Sequence, residues 1–507
     1  MPETPPNILL LCSDQQHAST LGVTNDRIRT PALDRLCCEG VRFDRAYCTN
    51  PTCTPCRASM LTGLYPSQHG AWSLGTKLFE HVPVVGDLFA HAGYVTALIG
   101  KAHLQPLASR PGMESLECQP TLRDLDFWRR FHGPWYGFQH VEVARNHAWE
   151  SHAGQHYAIW MEERGLGDWR RYFAQWPHQK DDIQRLRAMR HWDLPQEFHY
   201  TRWTGERARA FIERSHAAGR PFFAMVNFHD PHPPYAVPEP WASMYGPADM
   251  VPGQLTPGEH QRNPRHFAMT QEPSPDFRGL FFEDQGIHGG HSHLRDRDEL
   301  KKDMAIYYGM VSFLDDEVGA ILDTLDRLDI ARDTLVLFTT DHGHFLGQHG
   351  LVAKAIHHYE DLLRVPWIVR WPGRVPEGQV SEALQNHVDL SPTFLAAAGI
   401  PVPHHMTGLD QLPAWTGGPP ARCCSITENH HTRTNFHMHT YVDARYKITV
   451  YRKWDCGELF DLQEDPQEVN NLWDEPQAAE LKCGLLHRFH QARMQGESLP
   501  MPRIAGA

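Results

Sequence analysis

No stretch of this 507-residue chain is apolar for long enough to span a membrane as a helix, which takes about 20 residues. Basic charge is scarce: 48 Lys and Arg face 61 Asp and Glu, for a net charge of −13. That argues against a general nucleic-acid binder, whose footprint is basic. Internal repeats and low-complexity segments are absent. There is one Cys-x-x-Cys, Cys53 to Cys56, and no second pair at metal spacing. Cys37-Cys38 and Cys423-Cys424 are adjacent pairs, a poor geometry for chelation. A thioredoxin-like reading of Cys53 and Cys56 leaves most of the chain unused. Residues 1–7 carry no basic segment, and no signal-type apolar core precedes the first strand. Together with eleven cysteines, an odd number, this predicts free thiols and a cytoplasmic location.

The hydrophobic fraction of 41% is ordinary for a folded protein, and the length suits a large α/β domain with a smaller one appended. Asn7 to Ser13 is a continuous apolar run, as expected of a buried parallel strand, and it ends in Asp14-Gln15. Further strands are predicted at Tyr94–Ile99, Pro221–Phe228, Thr334–Thr340 and Val365–Arg370. Several end in polar residues: Lys101 and His103, His229 to His232, Asp341 and His342. Open α/β sheets place their ligands at such carboxyl ends. A helix is predicted over Glu299–Leu328, where Tyr307, Met310, Val311, Leu314, Val318, Ile321, Leu322 and Leu325 recur at three- and four-residue steps. Proline marks a helix start at Pro31 and another at Pro55, placing Cys53 just before a helix N-terminus.

Alternating strands and helices predict a mostly parallel sheet covered on both faces, in a catalytic α/β domain over residues 1–420. Residues 421–507 change character and predict a small antiparallel sheet with one helix near Gln477–Gln491. Residues 115–203 read as an irregular insertion holding eight of the fifteen tryptophans, suited either to stacking on a substrate or to ordinary packing. Residues 252–300, rich in Pro, Gly and His, read as a second long loop, a lid or a subunit contact.

The most informative stretch is Cys53-Thr54-Pro55-Cys56-Arg57, running on through Leu61-Thr62-Gly63 to His69-Gly70. It resembles the Cys-x-Pro-x-Arg maturation motif of the type I sulfatases. Four more segments resemble that family and the wider alkaline phosphatase superfamily, in the family's order. They are Asp14-Gln15, Gly100-Lys101-Ala102-His103, Asn227 to Tyr235 with His232 inside it, and Asp341-His342 to Gly350 followed by Lys354. Taken singly, each has a bland explanation: Asp14 as a helix cap, His342-Gly343 as turn chemistry, Lys101 as a solvated lysine.

The resemblance implies an alkaline phosphatase-like sheet sandwiched by helices. It also implies hydrolysis of sulfate monoesters, with aryl sulfates the expected class. A formylglycine-generating enzyme would convert Cys53 to an aldehyde whose hydrate is the nucleophile. Arg57, Lys101, His103, His232 and Lys354 would complete the catalytic group, with Asp341 as a proton acceptor. Asp14, Gln15, Asp341 and His342, together with residue 53, would hold one divalent cation, Ca²⁺ by family habit and Mn²⁺ or Mg²⁺ as alternatives. Many sulfatases carry Asp where Gln15 stands and Asn where His342 stands. Those two departures resemble the phosphonate monoester hydrolase branch, which uses the same nucleophile on phosphonate monoesters and phosphodiesters. The long loops and tail suggest a homo-oligomer.

Overall fold

The first strand, β1 (Asn7–Ser13), is buried along its whole length and sends alternate side chains to opposite faces. Ile8, Leu10 and Cys12 enter one apolar cluster, and Leu9 and Leu11 enter the other. A strand buried on both faces can sit only at the centre of a covered sheet, and the computed structural model places it there. Residues 5–145, 148–174, 190–272, 276, 296–354, 356–430, 436–499, 501 and 504 are described.

Eight strands form the main sheet. In chain order they are β1, β2 (Val41–Phe43), β3 (Val95–Gly100), β4 (His140–Val143), β5 (Phe222–Asn227), β6 (Thr334–Thr340), β7 (Trp367–Arg370) and β8 (Gln379–Ser381). Their spatial order is β8-β2-β7-β6-β1-β5-β3-β4. β1 runs parallel to both β5 and β6, and β3 runs parallel to β5 and β4. β7 is the antiparallel member, between β6 and β2. The strand predicted at Val365–Arg370 is therefore present, as the one antiparallel member, among the described residues, of a mostly parallel sheet.

Three helices cover one face: α1 (Pro31–Cys38), α3 (Tyr200–Ala217) and α4 (Arg297–Arg327). They contribute Leu33 and Leu36, Phe211 and Ile212, and Leu314, Val318 and Leu322. α2 (Cys53–Thr62) lies on the other face and is buried at all ten positions. It starts two residues before Pro55, with Thr52 as N-cap, so Cys53 is its first residue rather than the residue before it. Pro55 fits there because first-turn N–H groups need no intrahelical partner. Gly63 closes the helix in the left-handed conformation (φ 64°), which glycine adopts without strain.

The segment 115–203 is more ordered than its sequence suggests. It supplies the edge strand β4, and its tryptophans pack: Trp128, Trp160, Trp169, Trp192 and Trp203 are core residues, the last four in or beside α3's own cluster. Much of 252–300 lies outside the described residues.

Near the C-terminus, β9 (Ser425–His430), β10 (His437–Val442), β11 (Tyr446–Tyr451) and β12 (Gly457–Asp461) form an antiparallel sheet, with α5 (Ala479–Gln495) packed on it. β9 also grips the chain just before α2. The Glu428 N–H donates to Thr49 O (2.8 Å), the Thr427 hydroxyl to Cys48 O (2.6 Å) and Asn50 Nδ2 to Glu428 O (2.7 Å).

Candidate active site

Register brings the polar strand ends together. Ser13 of β1 pairs with Thr340 of β6, while Cys12 pairs with Asn227 of β5, which in turn pairs with Gly100 of β3. Asp14, Asp341, Lys101 and the run toward His232 therefore leave one sheet edge side by side. Gly100 is needed for this closeness: a Cβ there would stand 2.0 Å from Asn227 O. Gln15 (φ 62°) and His103 (φ 53°) turn the chain back in a left-handed conformation that side chains seldom adopt, a type of strain that gathers at functional sites.

The first residue of α2 meets this edge. Cys53 Sγ lies 3.3 Å from His342 Nε2, 3.3 Å from Lys354 Nζ, 3.7 Å from Asp14 Oδ1 and 3.9 Å from Lys101 Nζ. Cys53 is fully buried. Burial and the neighbouring Asp14 push its thiol up to about 11, against the pull of Lys101 and Lys354. A thiol that stays protonated at neutral pH is a poor nucleophile, as expected of a precursor. Were Cys53 converted as its motif implies, an oxygen of the modified side chain would take the place of Sγ.

Arg57, one turn along α2, ties the carboxylates together. Its Nε donates to Asp341 Oδ2 at 3.0 Å and its Nη2 to Asp14 Oδ2 at 3.4 Å. Lys101 Nζ also donates to Asp14 Oδ2. Burial works to raise both carboxyls. For Asp14, Lys101, His232, Arg57 and Lys354 outweigh it and hold the group well below the usual range. For Asp341, Arg57, His342 and Lys101 outweigh burial and the nearby Asp14. Burial lowers Lys101 and takes His342 down to about 4, so that imidazole is neutral. His342 Nδ1 donates to Gly343 O at 3.0 Å, which leaves Nε2 as the lone pair facing Cys53.

One ligand atom from each of Asp14, Cys53, Asp341 and His342 lies within 4.8 Å of the others. Gln15 joins them: its N–H donates to Asp341 Oδ1 at 3.0 Å, and its Oε1 is buried with no hydrogen-bond partner among the described residues. A buried acceptor without a donor is costly unless a cation satisfies it. Carboxylate and amide oxygens with one imidazole fit a divalent ion of the Ca²⁺, Mg²⁺ or Mn²⁺ class.

The remaining expected residues lie around this centre. His232 Nδ1 donates to Pro233 O at 2.5 Å, and its Nε2 lies 3.4 Å from Lys354 Nζ. Burial, with Lys354 and Lys101, holds that imidazole well below its ordinary value. The His103 N–H donates to Glu117 Oε1 at 2.8 Å; burial, then Arg145, Lys101, Arg57 and Lys354, keep its ring neutral.

Two supports escaped the sequence reading. Gln15 Nε2 contacts His344 Nδ1 at 2.9 Å, and the His344 ring stacks 4.7 Å from Tyr307, whose hydroxyl donates to Gln15 O at 2.9 Å. Beneath the centre, Cys56 Sγ donates to Asp341 O at 2.8 Å and lies 2.9 Å from His387 Nδ1. Cys56 thus braces a ligand, and all eleven cysteines are free. His344 stood inside a quoted motif; His387 had no sequence signal.

The sulfatase family model matches residues 6–400, most of the chain. The chain belongs to the sulfatase family. It is a hydrolase of the alkaline phosphatase-like α/β type. A second model, described as N-sulphoglucosamine sulphohydrolase, C-terminal, matches 347–495. Among relatives, an arylsulfatase of Clostridium perfringens is 26% identical, with 92% of this chain and 90% of that protein covered. A multifunctional alkaline phosphatase superfamily protein, PehA, of Trinickia caryophylli is 27% identical, with 94% and 92% covered. The solved phosphonate monoester hydrolase of Silicibacter pomeroyi superposes with a TM-score of 0.77 at 25% identity, covering 98% of this chain and 96% of that one.

Proposed function

We propose that the protein hydrolyses sulfate monoesters, aryl sulfates foremost, through a formylglycine hydrate at position 53. The observation that carries this is the meeting of Cys53 with two lysines, two carboxylates and a neutral histidine, all within 4 Å of Sγ or of the groups that touch it. Cys53 is fully buried, so its modifying enzyme would meet it before the chain folds. Eleven free thiols suit a cytoplasmic setting.

Asp14, Gln15, Asp341 and His342 would hold a divalent cation, which would supply Lewis-acid charge beside the attacking hydroxyl. Lys101 and Lys354 receive the sulfate oxygens, and the start of α2 adds its positive dipole end. Both Asp341 oxygens already accept bonds, from Arg57 and from the Gln15 and His342 N–H groups. Asp14 is tied as tightly, to Arg57 and Lys101, and its carboxyl is held well below the usual range, so Asp341 remains the proton acceptor of this reading. The diol oxygen forms a bond to sulfur as the bond from sulfur to the leaving oxygen breaks. That oxygen takes a proton from the Lys354–His232 pair, whose imidazole is neutral at rest. In the second half, the remaining hydroxyl gives its proton to neutral His103, the carbon–oxygen bond to sulfate breaks and the aldehyde reforms. Water then restores the diol.

Gln15 and His342 favour a second reading, a phosphonate monoester or phosphodiester hydrolase, and the same cationic cradle suits either anion. Paired rates on an aryl sulfate and a phenylphosphonate ester decide between them. The sulfate ester is expected to turn over faster in wild type, with both activities lost together in Cys53→Ala. Substantial sulfatase turnover by Cys53→Ala would refute the reading.

A further inference from the structure

A second group of histidines lies away from the sulfatase motifs. His430 ends β9 and pairs across the antiparallel ladder with His437, which opens β10. His439, two residues further along β10, shares the face of His437. One ring nitrogen of each lies within 4.8 Å of the others, and His437 Nε2 stands 2.9 Å from His439 Nε2. Buried His430 Nε2 and His437 Nδ1 have no hydrogen-bond partner among the described residues. The Trp72 ring lies against His430, 5.7 Å away.

Three imidazoles packed this closely gain little from one another. At most one hydrogen can lie between His437 and His439, and like-charged rings repel. Burial first lowers all three below the ordinary histidine value, helped by Arg452 and Arg493 at His430, by His430, His439 and Arg452 at His437, and by Arg493 and His430 at His439, so each presents a lone pair at neutral pH. Glu428 opposes that for His430 and His437, but Arg493 is already ion-paired with it. No carboxylate among the described residues belongs to the cluster, which disfavours hard cations, whereas three neutral imidazoles are the ligand set of zinc and its borderline neighbours. Nitrogens about 2.05 Å from a tetrahedral zinc stand about 3.3 Å apart. The His437–His439 pair is already close to that separation.

We propose that His430, His437 and His439 form a second metal site, for Zn²⁺ or a borderline divalent ion of its class, separate from the oxygen-rich centre at Cys53. The fourth position would be left to water. An ion there clamps β9 to β10. Through Glu428, whose backbone bonds Thr49 and Asn50, it stiffens the loop that enters α2.

The test uses the full-length protein, stripped with a chelator, returned to excess Ca²⁺ and titrated with Zn²⁺ and with Co²⁺. Wild type and His342→Ala are expected to take up one Zn²⁺ that His437→Ala does not. His439→Gln, which keeps a polar side chain of similar size, is expected to bind it at least 10- to 100-fold more weakly. In the Co²⁺-loaded protein, visible ligand-field bands without thiolate charge transfer should appear in wild type and fade in both β10 variants. Zinc should also raise the melting temperature of wild type more than that of His439→Gln. Equal zinc uptake and identical Co²⁺ spectra in wild type and folded His439→Gln would overturn the proposal, even if His437→Ala fails to fold.

Discussion

Gln15 and His344 meet at 2.9 Å, amide nitrogen to ring Nδ1, and this contact fixes which end of the Gln15 amide is left free. With Nε2 engaged, Oε1 is left as a buried acceptor without a hydrogen-bond partner among the described residues. His344 is itself held by Tyr235, whose hydroxyl lies 2.9 Å from Nε2.

His344→Leu removes that anchor and lets the amide rotate. Metal affinity should fall about 10- to 100-fold, the usual effect of losing a group that orients a ligand. Calorimetric titration of the stripped protein with Mn²⁺ and Ca²⁺ measures it. An unchanged dissociation constant would place Gln15 outside the metal's ligand set.

Lys354 and His232 act on the leaving oxygen in the proposed reaction. Lys354→Ala should slow poor leaving groups, such as alkyl sulfates, by about 10²- to 10⁴-fold, and activated nitrophenyl sulfates much less. A plot of log(kcat/KM) against leaving-group pKa should steepen in the variant. Parallel lines for variant and wild type would mean that Lys354 only binds the sulfate.

Asp230, beneath the site, supplies a pH signature. Burial raises its carboxyl to about 7, against the hydrogen bonds from Thr201 and Tyr200. A carboxyl raised in the folded state binds its proton more tightly there than in the unfolded chain. Its contribution to stability is therefore full below about pH 4, the ordinary value, and is lost as pH rises through about 7. Asp230→Asn should remove up to about 1.4 kcal/mol per pH unit of slope across that window. Denaturant melts at pH 5, 6 and 7 measure the slope, and an unchanged slope would contradict the assignment.

Much of this was legible in the sequence because buried parallel strands are apolar runs. β1, β3, β5 and β6 appear within a residue or two of their expected places, and the site residues follow directly from their polar ends. The misses have physical reasons. β9 reads Ser-Ile-Thr-Glu-Asn-His, a polar string that tertiary hydrogen bonds to Cys48, Thr49 and Asn50 convert into a buried strand. β4, four residues long, is hidden among the tryptophans, where burial of Val141 and Val143 in the core beside Trp128 rather than local pattern makes it a strand. The direction of β7 depends on the path of the preceding chain, which its own residues do not encode. His387 and Cys56 support Asp341 through contacts between segments 331 positions apart, so neither stood out by spacing.

The central claim is that Cys53 is consumed to make the nucleophile. Mass spectrometry of the tryptic peptide Ala46–Arg57, from protein that turns over an aryl sulfate, tests it most directly. The account predicts a peptide about 18 Da lighter than the cysteine form, from replacing a thiol-bearing carbon by an aldehyde, in a fraction that rises in step with specific activity across preparations. Full activity in protein whose Cys53 is entirely unmodified would contradict it.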